Sequence, residues 1–208
     1  MAYKNYQGAR DAAWKILIDC GAKTLPISVG RVCKLLGIKL HTYRRSETIL
    51  QLVGLLPLTA QTDGFCQFVN GAFHIFFDDT LPIPRQRFTV AHEIGHIVLG
   101  HIHADCSRIN RDPAPGDSPI ETQANQFAAR LLAPACVLHE LGALNPDDIA
   151  ALCNISAAAS RFRAERMAVL EQRNRYYTSP LERQVLTQFD EFIKSHNQTH
   201  PQDHHISY

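Results

Sequence analysis

No run of the 208 residues is apolar for long enough to cross a bilayer. The longest, residues 49–58, is interrupted by Gln51 and Pro57 and falls well short of the roughly 20 residues a membrane-spanning helix needs. The N-terminus does not read as a secretory leader either. Residues 14–18 contain Lys15 and are followed by Asp19, so they never reach the roughly 7–15 apolar residues of a signal core. Both readings place the protein in the cytoplasm, away from membranes. The six cysteines, at 20, 33, 66, 106, 136 and 153, include no C-x-x-C pair and no regular spacing, which in a reducing compartment means free thiols. Internal repeats and low-complexity segments are missing as well. Nor is there a large charge of one sign: the net charge of +1 and pI near 7.7 exclude a protein that binds nucleic acid by bulk electrostatics.

The near-neutral total hides a division along the chain. Residues 1–45 carry nine Lys/Arg against two Asp/Glu, residues 46–160 carry five against twelve, and the remainder seven against six. The basic first part reads as the solvated face of a small helical subdomain, or as an attractor of phosphates or an acidic partner. With 45% hydrophobic and 20% charged residues, the chain has the composition of a soluble globular protein. Its length suits one domain with a tail, or at most two small ones.

Helices are expected over residues 6–20, ended by Gly21, and from Ser28, whose followers Val29, Val32, Cys33 and Leu36 have helical spacing. Residues 38–43 read as a strand. Two β-type runs, 65–69 and 72–77, flank Asn70-Gly71, a dipeptide that accepts the positive φ angles of a tight hairpin. Pro82 and Pro84 open a helix reaching Leu99, with Gly100 as its stop. After a polar loop over 105–118, Ser118 starts another helix, with Ala124, Phe127, Ala128, Leu131 and Leu132 on one face and Pro134 beyond it. Residues 143–195 form a helical C-terminal segment whose two helices, joined at Asn154-Ile155-Ser156, have the shape of a helix-turn-helix. Arg161, Arg163, Arg166, Arg173 and Arg175 lie on or after its second helix. They read either as solvated charges on a buttress or as contacts to DNA or a partner, so direct nucleic-acid binding stays open. Residues 196–208 read as a disordered tail, and residues 1–142 as the domain that carries the chemistry.

That chemistry begins at His92-Glu93-Ile94-Gly95-His96. Residues four apart on a helix share a face, so the two imidazoles can converge on one metal ion at about 2.0–2.1 Å. Glu93 sits about 100° further round, badly placed to bind the metal but well placed to take a proton from a water that zinc acidifies. The plainer alternative is two ordinary helix histidines. A hydrolytic zinc needs a third protein ligand, and His101, His103, Asp105 and Cys106 follow closely. Glu121, with Asn125 four residues on to hydrogen-bond a ligand histidine, suits the role better. Ser118-x-x-Glu121 is, however, also a capping box.

Together, residues 84–96 (PRQRFTVAHEIGH) and the spacing Glu121-x-x-Ala124-Asn125-x-Phe127-Ala128-Ala129-x-Leu131-Leu132-x-Pro134 resemble the ImmA/IrrE family of metallo-endopeptidases over about residues 25–165. The resemblance implies an α+β, zincin-like fold with a mostly helical core and a small antiparallel sheet. It implies Zn2+ held by His92, His96 and Glu121, with Glu93 as the catalytic base. It also implies a bacterial or mobile-element protein that cuts a helix-turn-helix repressor and so releases transcription. The competing expectation is a non-catalytic DNA- or partner-binding regulator whose metal site is structural or vestigial. An intact Glu93 speaks against that, since a structural site has no use for a base.

Overall fold

In the computed structural model two helices, α4 (Ile83–Val98) and α5 (Pro119–Leu132), pack face to face at the centre of the chain. The structure describes residues 2–102 and 118–199, with side chains from Gly8 onward. His103, Asp105 and Cys106 fall outside the described residues. Both central helices carry a proline in their first turn, where the missing N–H removes no hydrogen bond and the fixed φ suits the helix. Gly95 lets them approach: a Cβ built there would lie 3.1 Å from Phe127 Cδ1 and 3.2 Å from both Cα and the carbonyl oxygen of Ala124.

α1 (Ala2–Asp19) covers the other side of α5. Ala9, Ala13 and Leu17, spaced four apart, are almost fully buried, with Ile16 and Cys20 beside them. A fully buried leucine contributes about 1.5–3 kcal/mol, so this basic N-terminal helix is part of the main core and not a subdomain of its own. α2 (Val29–Leu35) is capped by the Ser28 hydroxyl, which accepts from the Arg31 N–H, and buries Val32 and Cys33.

The sheet lies on the opposite flank of α4. β2 (Gly64–Val69) and β3 (Ala72–Phe77) form the expected hairpin, with positive φ at Asn70 (49°) and Gly71 (76°). The expected antiparallel sheet is in fact mixed, because β1 (Lys39–Thr42) pairs parallel to β3, in the order β1-β3-β2. The parallel pairing requires a crossover, supplied here by α3 (Tyr43–Leu52) and a 3-10 turn (Leu56–Ala60). One face of the sheet, with Cys66, Phe68, Phe73, Ile75 and Phe77, joins the main core. The other, with Phe65 and Phe76, makes a small second cluster with Tyr43 and Leu50.

The C-terminal residues pack onto this same body. α6 (Ala135–Glu140), α7 (Pro146–Cys153), α8 (Ala157–Gln172) and α9 (Pro180–Thr199) follow. Ile149, Cys153, Met167, Val185 and Phe189 belong to the cluster that contains Leu17, Ile94 and Phe127, so residues 143–195 have no separate core. Arg87 of α4 ties the parts together, donating to the carbonyls of Ile27, Cys153 and Asn154. Gln188 of α9 donates to the Leu17 and Ala22 carbonyls at the end of α1. α9 runs on to Thr199, so residues 196–199 are helical where the tail was expected; residues 200–208 lie outside the description. Asn154 adopts left-handed φ (50°) between α7 and α8, and the Ser156 hydroxyl caps α8, which is the expected helix-turn-helix-like junction. Among the described residues no helix is long and apolar enough to cross a membrane.

Cys20, Cys33, Cys136 and Cys153 are free and buried, and Cys66 is buried as well. Burial pushes the Cys33 thiol up to about 11 and those of Cys136 and Cys153 up to about 12, so at pH 8 these three hold almost no nucleophilic thiolate. Ellman titration of the native protein at pH 8 is expected to leave them unreacted until denaturant is added; rapid native labelling at any of the three would contradict their burial. For the central contact, Gly95→Val overpacks the seam between α4 and α5 and should lower stability by about 1–3 kcal/mol in urea melts.

Candidate metal centre

α4 places His92 and His96 one turn apart on the face turned toward α5, and their Nε2 atoms stand 2.9 Å from each other. Glu121, in the first turn of α5, brings its carboxylate to both, with Oε2 3.1 Å from His92 Nε2 and Oε1 3.4 Å from His96 Nε2. The Ser118 side chain makes no capping hydrogen bond. Glu121 therefore points at the histidines and is not closing a capping box.

The far side of each imidazole decides which nitrogen faces this point. His92 Nδ1 lies 2.9 Å from Asn125 Oδ1. That oxygen only accepts, so Nδ1 carries the proton and Nε2 presents a lone pair. Behind His96 the chain is longer: His96 Nδ1 is 3.1 Å from His101 Nδ1, and His101 Nε2 is 3.0 Å from Gln123 Oε1. Gln123 Oε1 accepts a hydrogen bond from His101 Nε2–H, neutral His101 then accepts at Nδ1, and His96 must donate from Nδ1. Burial favours neutral His101 by lowering its pKa. Two lone pairs and a carboxylate thus meet with separations of 2.9–3.4 Å. Tetrahedral zinc, with ligands at about 2.0–2.1 Å, spaces them at about 3.3 Å. Three converging acceptors repel unless a cation lies between them, so the residues present fit a metal ion of the zinc type, and they are the described residues grouped closely enough to hold one.

His96 is fully buried, while the side chains of His92 and Glu121 are 12% and 30% exposed, so the cluster meets solvent at these two residues. Phe88 lies over the His92 ring, centroids 6.4 Å apart. Glu93, between the two histidines in sequence, is 1% exposed. β2 runs beside this stretch of α4, and the Cys66 thiol reaches the Glu93 carbonyl at 3.8 Å. Of the other sequence-stretch candidates for the third position, His101 is placed behind His96 and not beside Glu121, and His103, Asp105 and Cys106 lie outside the described residues.

The relay through His101 and Gln123 escaped the sequence reading, although its signal was there. Gly100 adopts φ +73°, and the His101 N–H closes back on the His96 carbonyl at 2.9 Å. This is the Schellman ending that a glycine after a helix favours, and it turns the next residue toward the helix it has just left. The profile of the IrrE N-terminal-like domain, a peptidase family, matches residues 53–172. The chain belongs to this family. The match spans α4, α5 and both histidines, Glu93 and Glu121, and stops at the end of α8. No curated protein matches the chain.

Metal content separates the ligand set from its support. His92→Ala, His96→Ala and Glu121→Ala are each expected to lose the roughly one equivalent of zinc that a single three-ligand site takes up. His101→Ala and Gln123→Ala should retain it but bind about 10–100-fold more weakly in chelator competition. Full zinc affinity in Glu121→Ala, or lost stoichiometry in His101→Ala alone, would reverse these assignments.

Proposed function

We propose that the protein is a zinc-dependent endopeptidase that cuts a regulatory protein, a helix-turn-helix transcriptional repressor, in the cytoplasm. The observation that carries the catalytic reading is the meeting of His92, His96 and Glu121 within 3.4 Å, with Glu93 next to His92 on the same helix. Zinc bound there supplies a Lewis acid that polarises a scissile carbonyl and acidifies water. His92 and His96 hold it through Nε2, fixed by Asn125 and by the His101–Gln123 relay, and Glu121 adds the third bond and a negative charge. Water and substrate would reach an ion held there past His92 and Glu121, the exposed members of the cluster. Glu93 takes a proton from the attacking water and returns it to the leaving amine nitrogen.

A substrate enters this site extended. β2 is an edge strand of the sheet and passes Glu93, so a peptide adding to that edge would be carried along α4 with its backbone paired. A folded helix cannot pair in this way without local unfolding, which directs cleavage to a linker or a frayed end of the repressor. Choice of a repressor as substrate rests on the family resemblance. The buried thiols suit a reducing compartment, where repressors also work.

Glu93→Gln keeps the shape of the side chain and removes the proton acceptor, so it should retain zinc and fold while cleavage falls by about 10²–10⁴-fold. Co-expression with the repressor encoded nearest this gene is expected to give two repressor fragments with the wild type and intact repressor with Glu93→Gln. An uncut repressor that leaves its operator equally with both versions would favour a binding regulator whose metal is structural.

A further inference from the structure

α8 carries a buried charge that the peptidase reading does not use. Arg163 is 9% exposed, and its Nε is buried with no hydrogen-bond partner among the described residues. Burial is the main influence on its charge and lowers its pKa. It lines a cavity of about 830 Å3 between α1, α5 and α8, together with Arg10, Arg130 and Arg166. Volumes of about 300–1,000 Å3 are those of small-molecule sites.

Nothing acidic lines this cavity. Asp11 lies near it but is engaged by Arg10 Nε at 2.8 Å. Arg130, largely buried, donates to the Gln126 carbonyl and side-chain oxygen. Burial, with Arg163, Arg166 and Arg10 adding to it, pushes its pKa down to about 10. Arg10 is answered by Asp11 and lies near buried Glu182, but Arg130, Arg163 and Arg166 meet no carboxylate on the cavity lining, and such guanidinium groups repel one another, which is unfavourable unless an anion joins them. A single peptide carboxylate would leave most of this charge unanswered. A phosphate group carries up to two charges and accepts bidentate pairs from several arginines at once.

The rest of the cavity is not shaped for a bare ion. Phe88, Ile155 and Ala129 give it apolar walls, and Phe162 stands on its lining 72% exposed. An aromatic left in solvent beside arginines is a stacking surface for a planar group. We propose that this cavity binds a phosphorylated small molecule with a planar apolar part, the chemistry of a nucleotide, with Arg163 and Arg166 on the phosphate and Phe162 against the planar group.

The site is independent of the peptidase reading, although it adjoins the metal centre: Asn125, whose oxygen accepts the hydrogen bond from His92 Nδ1, also lines the cavity. The test must therefore keep the two apart. Calorimetric titration of the full zinc-loaded chain with ADP, pyrophosphate and inorganic phosphate is expected to show saturable one-to-one binding, with ADP the tightest. Arg166→Ala, an exposed position, should weaken it by about tenfold or more, the loss of one charge-assisted hydrogen bond. Arg163→Met should abolish it while leaving the ligand-free protein melting at or above the wild-type temperature, because an uncompensated buried charge is removed. If Arg163→Met does not fold, Arg163 is structural and Arg166→Ala decides alone. Binding must persist in Glu121→Gln, which lacks the metal ligand. The proposal fails if none of the three probes saturates at millimolar concentration, or if Arg166→Ala binds ADP as the wild type does. It also fails if binding vanishes in Glu121→Gln, or if only duplex DNA or an acidic peptide binds.

Discussion

Everything at the metal centre depends on how near α5 can come to α4. The carboxylate of Glu121 and the imidazoles of His92 and His96 lie on different helices, and the close approach at Gly95, where the Phe127 ring and the Ala124 backbone fill the space a Cβ would take, lets them come within 3.4 Å. The core of α5, Ala124, Phe127, Ala128 and Leu131, is fully buried and holds that contact from behind. The arrangement gathers three acceptors, a composition that costs stability until a cation shares them. Metal binding and the folded state are therefore linked: the ion that completes the site also removes the strain that the packing of two helices has created.

The parts of this design that were legible in the sequence are those specified locally. The hairpin follows from Asn70-Gly71 between alternating runs, α4 from its prolines and its glycine stop, and α5 from an apolar face that proves buried throughout. His92 and His96 come together as their spacing suggested and Glu121 joins them as the family resemblance implied, while the rival use of Glu121 in a capping box is absent because its carboxylate is engaged by the histidines. What could not be read depends on tertiary contact. The parallel pairing of β1 with β3 has no sequence signature at four residues. α3 escaped because Ile49, Leu52 and Val53 are 60, 81 and 58% exposed, so apolar periodicity does not mark its buried side, where Tyr43, Ser46 and Leu50 lie. Arg163 is the strongest case. A sequence shows its charge beside those of Arg161 and Arg166, and nothing in that pattern distinguishes the arginine that turns inward.

α5 explains why a metal site and a basic cavity lie side by side. Successive residues turn by about 100° around a helix, which puts Ala124, Phe127, Ala128 and Leu131 on one arc and Thr122, Gln126, Ala129 and Arg130 on the opposite one. The first arc is core and the second lines the cavity. Glu121 and Asn125 fall on the seam between them, so one helix is clamped along its apolar arc and presents chemistry along the rest. Asn125 belongs to both environments: its oxygen orients His92, and the same side chain borders the cavity. The two environments therefore meet at a single side chain, while the apolar arc of α5, with Phe127, Ala128 and Leu131 fully buried, is held in the close-packed core.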